Sequence, residues 1–512
     1  MPNLEELLAN GYFPAELPPP FKTDNFAKVI TENITTLPPT ITSANKLAQY
    51  APHDLARVGT LKRTLGVANP IHQFRIAKEI VDNWVQISTI IEGSPISISK
   101  PHIQGIGHRA FKRKIGLDEL PIHRARARAT SRHILKTDLS RFYHSIYTHS
   151  IPWAIHGKLV AKRDKSFNLL GNRLDKILRD GQDAQTMGIP VGPDTSFVIA
   201  EILLASVDKR LAEQISLNGY RYMDDYELCF SSRAMAEKAL TTLEELLSDY
   251  ELSLNPAKTF LLETPEPLSS SWSSELQRIS IRDDEQHQIS DIIIFFNKGF
   301  ELSKEHPSST VLKYCVSRIA SIDFSEDNWK TVQDSVLQCR ISEPGVIPKG
   351  LDVLIAQKQR GKDIDQQKLK EALATIVLSK SHIRLSSEIA WSIWGSIVFD
   401  LMIPQDVCLQ IAKSTDPIVA LLFLDARDKG LTEGDFDIVQ WSTGMTTEDL
   451  YGRQWLLSYE AKIKGWLNSF NCNNHLNSDS NFNFMQNKNV SFYDGNAKDH
   501  YVYVPPDNFE FY

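Results

Sequence analysis

The stretch GYRYMDDYELCF, residues 219–230, sets two carboxylates side by side, Asp224 and Asp225, between short runs of strand-forming residues. Tyr220, Tyr222, Tyr226, Leu228 and Phe230 favour strand on either side. YMDD, residues 222–225, therefore reads as a tight turn between two strands, with both carboxylates at its tip. Adjacent like charges repel, which means nothing on a wet loop. Around a divalent cation the same repulsion is the reason a site binds metal, because carboxylate oxygens are hard ligands that suit Mg²⁺.

The neighbouring segments supply a frame for that turn. HILKTD, residues 133–138, reads as a short strand ending at an aspartate. SFVIAEILLASVDKRLA, 196–212, reads as a buried helix, and SRAMAEKALTTLEELLSDY, 232–250, as an amphipathic one. ELSLNPAKTFLL returns to strand. Strand, helix, strand, strand, helix, strand describes a compact α+β unit with an antiparallel sheet and helices on one face. A Pro- and Ser-rich break, TPEPLSSSWSS, follows at 264–274.

Upstream, FPAELPPPF, 13–21, cannot be helix, because its prolines remove donors and block the preceding turn. It reads as an extended arm laid on a domain surface. RVGTLKRTLGVANP reads as a basic hairpin, followed by a helix over FRIAKEIVDNW. Beyond about residue 300 the texture is helix after helix. QQKLKEALATIVLSK puts Leu369, Leu373, Ile376 and Val377 on one face. STDPIVALLFLDARDKG offers Asp416 as N-cap, Pro417 at the first helical position and Gly430 at the end. Helices at roughly 40-residue intervals suggest a HEAT-like repeat stack without a strict period. The division expected is 1–275, the α+β unit with its N-terminal arm; 276–467, an all-α repeat-like domain; and 468–512, an Asn- and aromatic-rich strap.

The bulk numbers permit this and narrow the function. The chain has 512 residues, 42% hydrophobic and 23% charged, with a net charge of -7. Residues 101–180 carry 17 Lys/Arg against 6 Asp/Glu, a basic block within an acidic chain. Such a block attracts polyanions. In PIHRARARAT, Arg124, Arg126 and Arg128 alternate with alanines, so on a strand all three would project from one face toward a triphosphate or nucleic-acid backbone. Lys62 and Arg63 form a second set in the hairpin. Five scattered cysteines without a CxxC argue against disulfides and a cysteine zinc site. MPNLEELLANGYF lacks the basic region of a signal peptide, and the apolar run 389–399 is too short to span a bilayer. A cytoplasmic protein without a membrane partner is expected. P-loop and GxSxG motifs are absent from the sequence.

The chemistry follows from three carboxylates. Asp138, in LKTDLSRFY, is the candidate third partner of Asp224 and Asp225. Two metal ions a few ångströms apart can activate an attacking 3′-hydroxyl and stabilise leaving pyrophosphate. Tyr143 lies five positions after Asp138, GIPVG occupies 188–192, and LNPAKT, 254–259, contributes Lys258. In order and spacing these motifs resemble the palm of the reverse transcriptases. The match is most specific to the abortive-infection reverse transcriptases of bacteria, the AbiK type and its prophage-encoded relatives. They share the GYFPAELPPPF arm, the VANP turn, the phrase YTHSIPWAIHG and a helical C-terminal half. The resemblance is strong over 10–260 and loose beyond.

It implies two Mg²⁺ ions, or Mn²⁺, held by Asp138, Asp224 and Asp225. Tyr143 falls at the steric-gate position under the sugar, and Lys258 matches the lysine that approaches the departing pyrophosphate. The pattern also departs from templated enzymes. Val191 stands where they carry a glutamine, and Pro193-Asp194 replaces Ser-Pro. The resemblance implies template-independent polymerisation of dNTPs, priming by a protein tyrosine, and a single-stranded DNA product that stays covalently attached. Tyr12, Tyr501, Tyr503 and Tyr512 are candidate primers. It implies, too, a homo-oligomer (trimer or hexamer), a phage component as trigger, and the bacterial cytoplasm as location. The other readings are an RNA-templated enzyme of retron or intron type and a catalytically silent scaffold.

Overall fold

In a computed structural model, residues 1–42, 46–56, 62–104, 109–380, 385–469 and 474–497 are described. Eight strands occur among them: β1 (Ala51–Ala56), β2 (Lys62–Val67), β3 (Pro101–Ile103), β4 (Phe111–Arg113), β5 (His133–Asp138), β6 (Gly219–Tyr222), β7 (Asp225–Phe230) and β8 (Phe260–Glu263). β1–β2 and β3–β4 are separate antiparallel hairpins, and the remaining four form one sheet in the order β6-β7-β5-β8. Every pairing in it is antiparallel. The βαββαβ order expected from the sequence is thus present, with the two metal-motif strands, β5 and β7, side by side at the centre.

Alternation along the strands explains how the sheet packs. Leu135, Tyr226, Leu228 and Phe230 join the main apolar core, where the helices Asp194–Gln214 and Arg233–Ser248 lie. Ile134 and Cys229 point the other way. The sequence led us to expect helices on one face only. The second face instead carries the helix Leu120–Arg128, whose Ala127 packs on Ile134 and Cys229.

That helix corrects the reading of the arginine run as a strand. Alanine and arginine are among the strongest helix formers, and this outweighs the period-2 pattern. Helical spacing then brings Arg124 and Arg128, four apart, to one buried acceptor on β7. Both pair with Glu227, Arg124 at 3.2 Å and Arg128 at 2.6 Å. Their remaining donors hold the carbonyls of Glu266, Pro267 and Leu268, tying down the Pro/Ser-rich segment.

After Glu263 no further strand occurs among the described residues; the regular elements there are all helices, the last ending at Asn487. Asp416 caps the helix Pro417–Asp428 through the amides of Ile418 and Val419. Gly430 closes it at φ 71°, where a side chain would be strained. One apolar cluster runs through palm and helices without a break, from Leu7 to Tyr493. The four cysteines described, Cys229, Cys315, Cys339 and Cys408, are free and buried. No helix of the described residues is long and apolar enough to cross a membrane.

The arm is not laid on the surface but enclosed. Phe13, Leu17 and Phe21 are buried. The C-terminal segment closes over them: Phe492 packs against Tyr12, Phe13 and Phe26, and Phe21 bridges to Tyr493. The segment expected as a strap contains a helix, Ser480–Asn487, which Asp479 caps through the amides of Asn481 and Phe482.

Candidate active site

Strand register brings the acidic groups together. Asp138, the last residue of β5, lies directly opposite Asp225, the first of β7. Paired residues in an antiparallel ladder sit roughly 4.5–5.5 Å apart at Cα. The Leu139 amide donates to the Asp224 carbonyl at 3.3 Å, and the Asn255 amide to the Asp138 carbonyl at 2.8 Å. The end of β5 is therefore fixed from both sides. Asn255 also caps the short 3₁₀ turn Pro256–Lys258 by accepting from Ala257. That turn delivers Lys258, whose ammonium meets Asp138 at 2.6 Å.

Met223, at φ 55°, is in the left-handed region, which turns the chain sharply enough to present Asp224 and Asp225 together. Desolvation, the Asp225 charge and the Asp138 charge push the Asp224 carboxyl up to about 7. Desolvation and Asp138 push Asp225 up to about 6, against the pull of Lys258 and Lys136. Lys258 would be lowered by its partial burial, yet its bond to Asp138 holds it above the ordinary lysine range.

Tyr143 sits on the short helix Phe142–Ser145, half-buried beside this cluster. Burial raises its phenol well above the ordinary range, and the Asp224 charge adds to that, while Arg113 and Arg63 oppose it. The GIPVG segment runs alongside. Its Ile189 amide donates to the Tyr143 carbonyl at 2.9 Å, and Gly188, at φ 84°, lies against the His144 backbone. The Arg63 charge on β2 pulls the Asp224 carboxyl down, against burial and the neighbouring carboxylates. Lys62, its neighbour in the same set, pairs with Asp54 across its own hairpin instead.

Other expected residues fall elsewhere. Arg124 and Arg128 are consumed by Glu227, and Arg126 is exposed on the same helix, so the three do not form one row. Tyr12 is fully buried and its hydroxyl donates to the Ala68 carbonyl at 2.6 Å. In this arrangement it presents no nucleophile. Tyr501, Tyr503 and Tyr512 lie outside the described residues. Arg113 and Lys136 escaped the sequence reading, although both lie in its basic block and both act on the cluster.

The residue flagged as a departure, Asp194, has a structural task. It accepts from Arg109 Nε at 3.1 Å and from the Phe111 amide at 2.9 Å, anchoring the β3–β4 hairpin. Its own amide donates to the Gly11 carbonyl. Arg109 further binds the carbonyls of Phe13 and Gly192. Pro14 of the arm presses on Gly192 so closely that a Cβ there would lie 2.4 Å from Pro14 Cγ. Gly66 on β2 also sits close over Pro190, where a Cβ would lie 2.8 Å from Pro190 Cβ, and donates its amide to the Val191 carbonyl.

As placed, no three His, Cys, Asp or Glu side chains among the described residues enclose a cation. The donor set nevertheless suits hard divalent ions: three carboxylates at the ends of adjacent strands, two of them raised by desolvation and by neighbouring carboxylate charge. A cationic group, Lys258, already rests on the third.

A model of the reverse transcriptase (RNA-dependent DNA polymerase) family matches residues 65–287, so the chain carries a reverse transcriptase domain there. Telomerases are among the similar solved structures. The telomerase of Candida albicans, in complex with a TWJ fragment of telomeric RNA, is 10% identical and matches over 70% of this chain and 67% of that one, with a TM-score of 0.31. The corresponding complex from Candida tropicalis is 11% identical over 78% and 67%, and the apo telomerase from Candida tropicalis 10% over 77% and 71%, both at a TM-score of 0.31. No curated protein matches the chain.

Proposed function

We propose that this reverse transcriptase domain is an antiphage DNA polymerase of the abortive-infection type, adding dNTPs without a template to a tyrosine of the protein itself. The observation that carries the catalytic part is the register of Asp138 against Asp225, with Asp224 beside them and Lys258 and Tyr143 at the rim. Asp138, Asp224 and Asp225 would hold two Mg²⁺ or Mn²⁺ ions, which supply Lewis-acid stabilisation of the attacking and leaving oxygens. Lys258 leaves Asp138 and neutralises pyrophosphate as it departs. Arg63 and Arg113 offer countercharge to a triphosphate. The Tyr143 ring, kept un-ionised by its surroundings, packs beneath the deoxyribose and leaves no room for a 2′-hydroxyl.

Support for template independence comes from the GIPVG loop. At Val191 a side chain able to hydrogen-bond near the nascent pair is missing. The loop is also packed against this chain's own Pro14 and Gly66. The helical half, read as HEAT-like, serves as wall or assembly surface in this account.

Purified full-length protein incubated with dNTPs and Mg²⁺ alone should yield long DNA that migrates with the protein on denaturing gels and is released by protease. Product formed only with added RNA, and copied from its sequence, would instead establish the templated reading.

A further inference from the structure

Behind the acidic turn lies a second group of charges that the proposed chemistry does not use. Arg221 on β6 is completely buried. Its guanidinium grips Glu201 with two nitrogens, at 2.9 and 3.1 Å, and Asp208 with Nε at 2.8 Å. Both carboxylates come from the helix Asp194–Gln214 and are themselves buried. Asp208 also accepts from Ser94 at 2.6 Å and Tyr226 at 2.9 Å, and Glu201 from Ser97 at 3.0 Å and Ser99 at 3.1 Å.

Three charges in a dry interior are an expensive way to hold a fold, since apolar side chains of similar volume often do as well or better. Where the network ends gives a reason for it. Arg221 Nη1 donates to the Met223 carbonyl at 2.8 Å, and the Met223 amide donates to Ser99 Oγ at 2.7 Å. Both backbone groups of Met223 are thereby held. Met223 is the residue at φ 55° that immediately precedes Asp224. An unfavourable backbone conformation persists only where its surroundings over-determine it.

We infer that Ser99, Glu201 and Arg221 are positioning residues for the metal carboxylates: they hold the Met223 turn in its left-handed conformation and so set the affinity of Asp224 and Asp225 for the divalent ion. Glu201 orients the Ser99 hydroxyl by accepting its hydrogen bond, which leaves the oxygen lone pairs for the Met223 amide. Ser94 belongs to the same buried network: its hydroxyl donates to Asp208 and accepts from the amides of Ile96 and Ser97, but makes no bond to Met223. It separates positioning from mere stability.

This inference rests on the proposed metal centre, and the test separates the two. Mn²⁺ affinity of the full chain is measured by paramagnetic-resonance titration without dNTP, alongside the melting temperature. Wild type should bind Mn²⁺ in a manner abolished by Asp224→Asn with Asp225→Asn. Ser99→Ala should weaken Mn²⁺ binding about tenfold, and Ser99→Thr should restore it. Ser94→Ala should lower the melting temperature while leaving Mn²⁺ affinity within twofold. If Ser99→Ala binds Mn²⁺ as wild type does, or if Ser94→Ala weakens it equally, the positioning role is wrong and the metal centre stands. If the double asparagine variant binds Mn²⁺ unchanged, both fall.

Discussion

Replacing Asp224 by asparagine should stabilise the metal-free protein at alkaline pH, and the size of the effect follows from the turn. The Asp224 carboxyl is pushed up to about 7 by desolvation and by Asp225 and Asp138. An unfolded aspartate titrates near 3.9. The proton is held more tightly in the folded state, so this group favours folding when protonated, and that contribution is lost as pH rises from about 4 through about 7. About 3 pH units correspond to about 4 kcal/mol, which solvent access at an open turn reduces to about 2 kcal/mol. Asparagine mimics the protonated form. For a chain of this length, about 2 kcal/mol amounts to a melting shift of about 2–4 °C. Scanning fluorimetry in chelator should show Asp224→Asn melting above wild type by that amount at pH 8.0, by about half of it at pH 5.5, and level with it only near pH 4. Adding Mg²⁺ at pH 8.0 should raise wild type and not the variant. A gap that is independent of pH, or a variant that melts lower at pH 8.0, would refute the electrostatic account of the turn.

Tyr143→Ala should open the sugar pocket and raise ribonucleotide use at least about tenfold, about 1.4 kcal/mol of discrimination, measured as the ratio of rNTP to dNTP incorporation. Glu227→Ala should cost about 3 kcal/mol or more of stability by stranding Arg124 and Arg128, whereas Arg126→Ala should change the denaturation midpoint negligibly. Tyr12→Phe should lose about 1 kcal/mol from the bond to Ala68 yet leave attachment of DNA to the protein intact, read by gel shift and peptide mass spectrometry. Loss of attachment in that variant would return Tyr12 to the list of primers.

How much of this was legible depends on how local each signal is. The strand YELCF was readable because its large apolar residues alternate with Glu227 and Cys229, and HILKTD because a short apolar run ends at an aspartate; the register of Asp138 against Asp225 is what their pairing adds. The arginine run misled because RARARA satisfies a strand pattern by period while its composition favours helix, and only the position of Glu227 decides. The arm looked superficial because proline exclusion from helices says nothing about burial. It is the aromatic C-terminal segment, some 470 residues later, that encloses Phe13 and Phe21. The charges behind the turn were hidden by distance in sequence. Glu201 and Asp208 lie seven apart at buried positions of one helix, and Arg221 lies between two buried tyrosines. Charges at core positions were the available clue to one another.

The central claim is that Asp138, Asp224 and Asp225 together hold the catalytic cations. Anomalous diffraction from crystals of the full chain soaked with Mn²⁺ and a non-hydrolysable dNTP tests it most directly. The account predicts manganese peaks bounded by all three carboxylates, with Lys258 moved off Asp138 toward the phosphates. Peaks elsewhere, or none at the turn while Lys258 stays on Asp138, would contradict it.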